Sequence, residues 1–308
     1  MAIVLQESLR AVFYAPFYAA LALEAFAEEG VAVSLSSAAS PDVAARGLTD
    51  GTVQVTWGGP MRVNQTYARE PDCDIRCFCE VVTRDPFFLV GAMPKPDFSW
   101  RDLSAATLAT VSEVPTPWLC LQEDVRRAGL DPSTLKRRQG QTMAENVAAL
   151  RRGDVDVIQV FEPFVTELVE SGAGHIWTAA ATRGPTSYTT LYARAPFLTS
   201  HRDDCERLVR AMHRTLKWFH GTDAERIAVV IKPYFAELQT TRLVAAIERY
   251  KSLAIWGKNP RLPRSGYERL CAGLVSGGFV PAAVPFETAV DNLLAELVIR
   301  HDPPALVR

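Results

Sequence analysis

Hydrophobic and polar positions follow nearly the same pattern in two separate parts of the chain. Residues 49–60 read TDGTVQVTWGGP, and residues 151–163 read RRGDVDVIQVFEP. In each segment a glycine ends a helical pattern, alternating valines follow, and a loop with an aromatic residue leads to a proline. The pattern therefore predicts, at both places, a helix that stops at glycine and a short buried strand after it.

The segments upstream of these two also match each other. Residues 12–31 and residues 111–130 each contain a strand end, a loop with a proline, an amphipathic helix and a glycine that stops the helix. A chance match would not recur in consecutive elements at a nearly constant offset. Alternating strands and helices are typical of parallel sheets with helices on their faces. The repeat therefore predicts two α/β lobes that are wound alike.

Two extended, proline-bearing segments connect the lobes. The first runs through residues 87–103 and the second through residues 184–196. Beyond the second segment the apolar residues form helical stripes, as in residues 201–221 and 285–301. We expect these C-terminal helices to pack on the first lobe.

The connecting segments set the predicted domain boundaries. Lobe one is expected to comprise residues 1–91 and 190–308, and lobe two residues 92–189. Both connections are narrow and carry glycine or proline. We expect them to act as a hinge near residues 91–96 and 185–190, so that the lobes move about a central cleft.

The bulk composition is that of a protein with an ordinary core. The chain has 308 residues, of which 48% are hydrophobic and 22% charged, and its formal net charge is −2. This balance gives no electrostatic reason to expect nucleic acid or an anionic membrane as a partner. The best candidate for a membrane span, residues 11–23, contains Pro16 and is too short. We expect a protein that does not span a membrane.

Three of the six cysteines, Cys73, Cys77 and Cys79, lie close together and raise the question of a metal. Core packing is the favoured interpretation, because Cys77 and Cys79 share one face of a predicted strand with apolar neighbours. No fourth ligand lies nearby in the sequence. The sequence thus predicts neither a metal nor another cofactor.

Ligands of open parallel sheets bind beyond the carboxyl ends of the strands. In this chain that rule selects loops of both lobes that carry aromatic rings and polar groups. Two glycines after Trp57 permit close backbone approach, and helix starts near Pro41 and Pro117 present N–H groups that can hold an anion. The predicted ligand-binding residues are Arg10, Phe13, Tyr14, Ser40, Trp57, Gly58, Gly59, Asn64, Ser112, Glu113, Thr116, Trp118, Asn146, Gln159, Phe161, Glu162 and Tyr188.

We expect Trp57 and Glu162 to face each other across the cleft, because each follows the valine strand of its copy of the repeat. Trp57 would stack on a flat ligand, and Glu162 would accept a hydrogen bond from a ring N–H or an amine. A carboxylate without a donor among aromatic rings would be costly. The ligand is expected to supply that donor.

Three stretches resemble the periplasmic solute-binding proteins for sulfonates, taurine and thiamin-pyrimidine precursors. They are YAPFYAALALEAFAEEGVAVSL at residues 14–35, FSWRDLSAATLATVSEVPTPWLCLQEDVRRAGLDPSTL at residues 98–135, and AENVAALRRGDVDVIQVFEPF at residues 144–164. The resemblance spans about residues 8–193. It implies the two-lobed type II periplasmic-binding-protein fold, an α/β fold with two doubly wound, mostly parallel sheets, two crossings and a central cleft.

The resemblance also implies a function. It suggests a solute-binding protein that captures a small aromatic, heterocyclic or sulfonate-like ligand for an ABC-type importer, with the importer's membrane subunits as partners. The same superfamily includes enzymes such as the thiamin-pyrimidine synthase, so a cytoplasmic enzyme of thiamin-pyrimidine or aromatic-acid metabolism is the alternative. A periplasmic or cell-envelope location is implied for the binding protein. A cytoplasmic one is expected if Met1 is the native start, since no signal peptide is visible.

Overall fold

Two separate sheets form the frame of the chain in the computed structural model, which describes residues 2–38 and 41–307. Each sheet has five strands within the described residues. The strands are β1 (Ile3–Glu7), β2 (Val33–Ser37), β3 (Val55–Gly58), β4 (Ile75–Val82), β5 (Phe88–Gly91), β6 (Thr107–Val111), β7 (Lys136–Gln141), β8 (Val157–Val160), β9 (His175–Ala179) and β10 (Thr189–Arg194).

Helices cover the faces of both sheets, and short 3-10 turns lie at residues 12–14, 100–104, 132–134, 180–183 and 232–235. The helices are α1 (Ala15–Ala22), α2 (Ala25–Glu28), α3 (Pro41–Thr49), α4 (Pro60–Arg69), α5 (Thr116–Arg127), α6 (Met143–Arg152), α7 (Phe164–Glu170), α8 (Ala195–Ser200), α9 (Arg202–Gly221), α10 (Ala224–Ile231), α11 (Thr240–Ser252), α12 (Arg264–Ser276), α13 (Phe286–Ala289) and α14 (Leu293–His301). Among the described residues, none of these helices has the length and apolar character needed to cross a bilayer.

The two sheets have the same topology. The first has the strand order β2-β1-β3-β10-β4, and the second has the order β7-β6-β8-β5-β9. In each, the first three strands are parallel, and the fourth is antiparallel to both of its neighbours. The two-lobed α/β architecture predicted from the repeat is confirmed. Both sheets are mixed rather than mostly parallel, because each lobe receives a strand that enters from the cleft side and therefore runs in the opposite direction.

The four glycines that mark the repeat have the same backbone conformation. Gly30, Gly51, Gly129 and Gly153 have φ values of 76°, 79°, 78° and 75°, in the left-handed region that a residue with a Cβ rarely adopts. At the start of α6, Thr142 and Glu145 form a reciprocal capping box. The start and stop signals that indicated a repeat are therefore present in the fold.

The first crossing lies earlier in the chain than the predicted boundary places it. The strand β5, which that boundary assigns to lobe one, pairs with β8 and β9 in the second sheet. The crossings are residues 83–87 and 184–188, and they run side by side, since the amide of Thr186 donates to the carbonyl of Thr83. The expected hinge at residues 91–96 instead lies at the end of β5 remote from the cleft.

A buried arginine fixes the crossings. Arg183 donates to the carboxylate of Asp85 on the first crossing at 2.6 Å, and its Nε donates to Asp124 of α5 at 2.9 Å. The carboxylate of Asp85 is fully buried. This network ties the first crossing to a helix of lobe two.

The C-terminal helices pack on the first lobe as expected, but two of them also reach the second. Helix α9 packs against α1, α2 and α14, within lobe one. Helix α12 packs against α5 of lobe two, and α11 packs against α7 of lobe two. The expectation of packing on lobe one alone is therefore incomplete, and α11 and α12 bridge the lobes on either side of the crossings.

The cysteine cluster is divided between two parts of the core. Cys77 packs with Tyr192 and Tyr267, whereas Cys79 packs in the main core, and both are fully buried. The register of β4 against β10 shifts between Leu191 and Tyr192, and this shift separates the two side chains. Burial raises the pKa of every cysteine thiol in the chain.

Candidate functional site

The loops that follow the parallel strands of the two lobes meet at the interface between the lobes. Those after β1 and β3 come from lobe one, and those after β6, β7 and β8 come from lobe two. They enclose two cavities that share Leu9 as a lining residue. We call them the outer cavity and the inner cavity.

The outer cavity has a volume of about 580 Å³, within the range of small-molecule sites. Lobe one contributes residues 9–12, and lobe two contributes Glu113, Met143 and residues 161–164. Residues 233–238, which join α10 to α11, close the third side. Most of these side chains are apolar, so the cavity suits a ligand with a hydrophobic body.

The inner cavity has a volume of about 40 Å³, which is room for water molecules but not for an aromatic ring. It is the more polar of the two, because several of its walls carry hydroxyl groups. The hydroxyl of Ser8 donates to the carbonyl of Trp57 at 3.3 Å. Burial raises the pKa of Tyr14 to about 12, so its hydroxyl remains protonated at neutral pH. The lining residues are Ser8, Leu9, Phe13, Tyr14, Gly58, Gly59, Met61, Arg62, Val114, Thr116 and Tyr188.

Aromatic rings from both lobes meet between the two cavities. The ring of Phe13, after β1, contacts that of Phe161, after β8, at a centroid distance of 5.3 Å and in an edge-on arrangement. Tyr188 of the second crossing contacts Phe13 in the same way at 5.8 Å. The predicted aromatic residues of the two lobes therefore come together, although mainly against one another.

Ten of the predicted ligand-binding residues line one of the two cavities. Those on the outer cavity are Arg10, Glu113, Phe161 and Glu162. Those on the inner cavity are Phe13, Tyr14, Gly58, Gly59, Thr116 and Tyr188.

Trp57 lies elsewhere, which corrects the expectation that it stacks on a ligand. Its side chain is fully buried in lobe one, where it is stacked on Phe17 at 4.6 Å with an interplanar angle of 9°. Tyr14 and Tyr18 contact the same indole. The contacts with Phe17 and Tyr18 place the Trp57 side chain in the layer between the sheet and α1, and it does not face Glu162.

Glu162 lines the outer cavity, but its hydrogen bonds are made within the protein. One carboxylate oxygen is paired with Arg249 of α11, and the other accepts from the amide of Thr166 at 2.9 Å. The amide of Glu162 donates to the hydroxyl of Tyr250 at 3.0 Å. The donor that we expected from a ligand is therefore supplied by Arg249 of α11.

Three of the predicted amides bind backbone or side chains away from the cavities. Asn64 donates to the hydroxyl of Tyr267 at 3.1 Å. Asn146 donates to the backbone of β6 at 3.2 Å, and Gln159 donates to the backbone at the start of α5 at 2.8 Å. All three are buried, and they hold loops and helices in place rather than pointing into either cavity.

The remaining predicted residues also lie outside the cavities or outside the described chain. Ser112 is exposed, and its amide donates to Gln141 at 3.0 Å. Trp118 packs under the guanidinium of Arg137 at 4.1 Å. Ser40 lies outside the described residues.

The two glycines after Trp57 serve close packing of the protein itself. A Cβ at Gly58 would lie 3.0 Å from the hydroxyl of Tyr192, and one at Gly59 would lie 3.2 Å from the carbonyl of Tyr188. The interpretation that these glycines permit a close approach is consistent with these distances, and here the approaching groups belong to β10 and the second crossing.

Charged groups at the rim of the outer cavity are held by neighbours in the fold. Arg10 pairs with Glu7, which also accepts from the hydroxyl of Tyr18 at 2.6 Å. Burial raises the pKa of Glu7, but hydrogen bonds from Arg10, Ser37 and Tyr18 outweigh that effect and leave it below its usual range. Glu113 accepts from the amide of Met143, at the start of α6, at 2.8 Å.

Several lining residues were not among the predicted ones. Leu9, Met61 and Val114 lie within the selected loops but are apolar residues that were not chosen, and Arg62 directly follows the loop after β3. Residues 233–238 have no counterpart in the repeat, and nothing in their sequence places them at the cleft. Their position follows only from how α10 and α11 pack against the two lobes.

Two lobes of like topology, joined by paired crossings and enclosing a cavity, define the periplasmic-binding-protein fold. Residues 95–232 match the model of the NMT1-like family. YtlA of Bacillus subtilis (strain 168), named only as a binding protein, is 24% identical over 294 residues, which cover 95% of this chain and 88% of the relative. These matches confirm the resemblance that the sequence carries.

Solved structures share the fold at low sequence identity. The periplasmic aliphatic sulphonate binding protein SsuA from Escherichia coli superposes with a TM-score of 0.74 at 14% identity, over 92% of this chain and 94% of that one. The desulfurization enzyme DSZB superposes with a TM-score of 0.67 at 14% identity, over 98% of this chain and 100% of that one. The fold is therefore common to binding proteins and to at least one enzyme.

Proposed function

We propose that the chain is the solute-binding component of an ABC-type importer and holds a small ligand between its lobes. The observation that carries this proposal is the outer cavity of about 580 Å³, which loops of both lobes and of the C-terminal helices enclose together. The names of YtlA and SsuA support a binding role. The proposal includes the importer's membrane subunits as partners and an extracytoplasmic location.

The proposed ligand is a small aromatic, heterocyclic or sulfonate-like molecule, with a thiamin-pyrimidine precursor as one example. Phe161 and Phe164 supply aromatic surface from lobe two, and Tyr234 and Phe235 supply it from the segment after α10. These rings support a ligand that is itself flat and largely apolar.

The fold does not decide between a binding protein and an enzyme, because DSZB shares it. Cys120 is the cysteine nearest to the predicted cleft loops. Burial raises its pKa to about 12, and its thiol is therefore protonated at neutral pH and poorly nucleophilic. A binding role is the function that the geometry supports best.

The test is to identify what the protein holds. The purified protein is denatured, the released small molecules are identified by mass spectrometry, and their affinities are measured by calorimetry. We expect a bound molecule that is recovered unchanged after prolonged incubation. Its conversion to a product would favour the enzyme, and the absence of any specific ligand would contradict solute binding.

A matched pair of variants tests whether the ligand binds in the outer cavity. Phe164→Ala removes a half-buried ring on the outer cavity, and Phe279→Ala removes a half-buried ring that packs against a separate apolar cluster, which includes Leu270 and Leu274. We expect the first variant to weaken binding and the second to leave it unchanged. Equal affinities for the two variants would place the ligand outside the outer cavity.

A further inference from the structure

We infer that the outer cavity takes a ligand with an apolar ring and a positively charged nitrogen, rather than one with a sulfonate or another anionic group. This inference rests on the proposed function and specifies its ligand class. It comes from the charges that line the cavity and from how each of them is already paired.

The body of the ligand is set by the apolar walls. Val12 lies on the lobe-one side, Phe161 and Phe164 on the lobe-two side, and Tyr234 and Phe235 after α10. A ring placed among these side chains loses contact with water on several sides at once. Such burial favours a hydrophobic body of about the size of one or two rings in a cavity of 580 Å³.

The charged residues of the lining are predominantly acidic. One arginine, Arg10, stands against three glutamates, Glu113, Glu162 and Glu237. Arg10 is engaged by the carboxylate of Glu7, outside the cavity, and Glu162 is engaged by Arg249. Among the residues that the structure describes, the one cation of the lining, Arg10, is therefore already paired with a carboxylate and is not left free for an anionic ligand.

Two carboxylates are left for a ligand. Glu113 is half-buried at the cavity, and its carboxylate accepts from the backbone amides of Met143 and Ser112, at 2.8 and 3.1 Å. Each of its oxygens accepts one hydrogen bond from these amides and retains a second lone pair. Glu237 is exposed, and within the described residues it forms no ion pair. An ammonium or ring N–H⁺ among the aromatic walls would complement both groups.

The helix start that lies at the outer cavity, the beginning of α6, already has carboxylates bound to its amides. Free amides at the beginning of a helix attract negative charge, and α6 begins at the cavity. Here Glu113 accepts from the amide of Met143, and Glu145 accepts from the amide of Thr142 at 2.7 Å. A sulfonate entering at this point would meet these two carboxylates and be repelled by them.

The test uses three probes that share one ring and differ only in the charge of the head group. These are 2-phenylethylamine, 2-phenylethanol and 2-phenylethanesulfonate, whose affinities for the full chain are measured by calorimetry at low and moderate salt. We expect the amine to bind on the order of tenfold more tightly than the alcohol, because hydrogen bonds to charged groups are the stronger ones. The sulfonate should be the weakest, and the preference for the amine should fall as salt screens the carboxylates.

Two variants test whether Glu113 and Glu237 cause the preference for the amine. Glu237→Gln changes an exposed residue, and Glu113→Gln keeps an acceptor for the start of α6. Each should reduce the affinity for the amine severalfold and leave that for the alcohol unchanged. Glu248→Gln removes the same charge from an exposed position of α11 that does not line the cavity, and it should retain the parent preference.

The outcomes separate this inference from the proposed function. Equal binding of the three probes, tighter binding of the sulfonate, or failure of all three would overturn the inference. Solute binding would still stand if the released-ligand experiment identifies a specific molecule. A preference for the amine that survives both glutamate variants would also overturn the assignment, because the charge would then come from elsewhere.

Discussion

Glu162 links lobe two to the C-terminal helices through a single buried carboxylate. It is fully buried, whereas the side chain of its partner Arg249 is 23% exposed. Arg249 also donates to the hydroxyl of Thr166 at 2.7 Å, so the arginine bridges α11 to the beginning of α7. The residue expected to recognise a ligand is therefore part of the interface that holds the lobes together.

Glu162→Gln should for this reason lower the stability of the empty protein. The substitution leaves Arg249 facing a neutral amide at a largely buried position, and we expect a loss of about 1–3 kcal/mol in the free energy of unfolding. Denaturant titration measures this. Glu167→Gln, which breaks the exposed pair with Arg151, is the control, with an expected loss below about 1 kcal/mol. Equal stabilities of the two variants would mean that the buried pair contributes nothing.

A second buried carboxylate predicts how stability depends on pH. Burial raises the pKa of Glu80 from its ordinary value of 4.5 to about 8, although the nearby hydroxyls of Ser187 and Thr83 oppose the shift. Because the folded state prefers the protonated form, the contribution of Glu80 to stability is complete below the unfolded pKa. It is lost progressively as the pH rises from about 4.5 towards 8.

Glu80→Gln should remove this dependence. The variant and the parent should have similar free energies of unfolding near pH 4. As the pH rises to 8, the variant should become more stable than the parent. The relative gain should reach a few kcal/mol, since one pKa unit corresponds to about 1.4 kcal/mol. Unfolding curves across this range measure it, with the exposed Glu248→Gln as the control. A difference that stays constant with pH would show that Glu80 does not titrate in this window.

At the scale of elements, the repeat predicted the order of strands and helices within each lobe. Glycine stops and alternating valines are local signals, and the structure bears them out at Gly51 and Gly153. The sheet to which β5 belongs is not a local property, since the apolar run FFLVG can be buried equally well in either sheet. The pairing of β5 with β8 is decided by where the chain crosses.

The contact of α12 with α5 depends on a glycine. A Cβ at Gly273 would lie 3.2 Å from the carbonyl oxygen of Leu119 and 3.4 Å from the Cα of Cys120, both in the backbone of α5. Backbone atoms cannot swing aside as the end of a flexible side chain can. The absence of a side chain at this position therefore allows the two helices to approach closely.

Gly273→Ala should weaken this contact. The strain should outweigh the gain in helix propensity and lower the free energy of unfolding by about 1 kcal/mol. Gly221→Ala, at the end of α9 with no atom within 4 Å of the added Cβ, is the control and should not destabilise the protein. Thermal unfolding compares them. If Gly273→Ala proves as stable as the control, α12 and α5 can separate without cost.

At the scale of the whole molecule, the candidate site could be predicted only in part. The rule that ligands lie beyond the ends of parallel strands selected loops of both lobes, and rings such as Phe13 and Phe161 do meet there. The rule could not tell which side chains point into the space and which, like Trp57, turn into the core. It also could not include residues 233–238, because their position depends on packing between helices that are remote in sequence.

The relative position of the lobes should depend on the bridges that α11 makes. Arg249 pairs with Glu162, and Arg242 donates to Glu170 of α7 at 2.8 Å, so both bridges join the C-terminal helices to lobe two. The crossings at residues 83–87 and 184–188 join the two sheets, and we propose them as the connections about which the lobes turn. Opening the cleft requires the α11 bridges to separate.

The double variant Arg242→Gln, Arg249→Gln should therefore have a larger radius of gyration than the parent when neither protein holds a ligand. Small-angle scattering below the unfolding temperatures of both proteins measures this radius. Adding the ligand recovered from the protein should reduce the radius again, because that ligand contacts both lobes and favours the closed arrangement. The control is Arg151→Gln, Arg194→Gln, which breaks two ion pairs that each lie within one lobe, and its radius should equal that of the parent. Identical scattering profiles for all three proteins, with and without ligand, would mean that the lobes form a rigid unit and that the ligand enters without their movement.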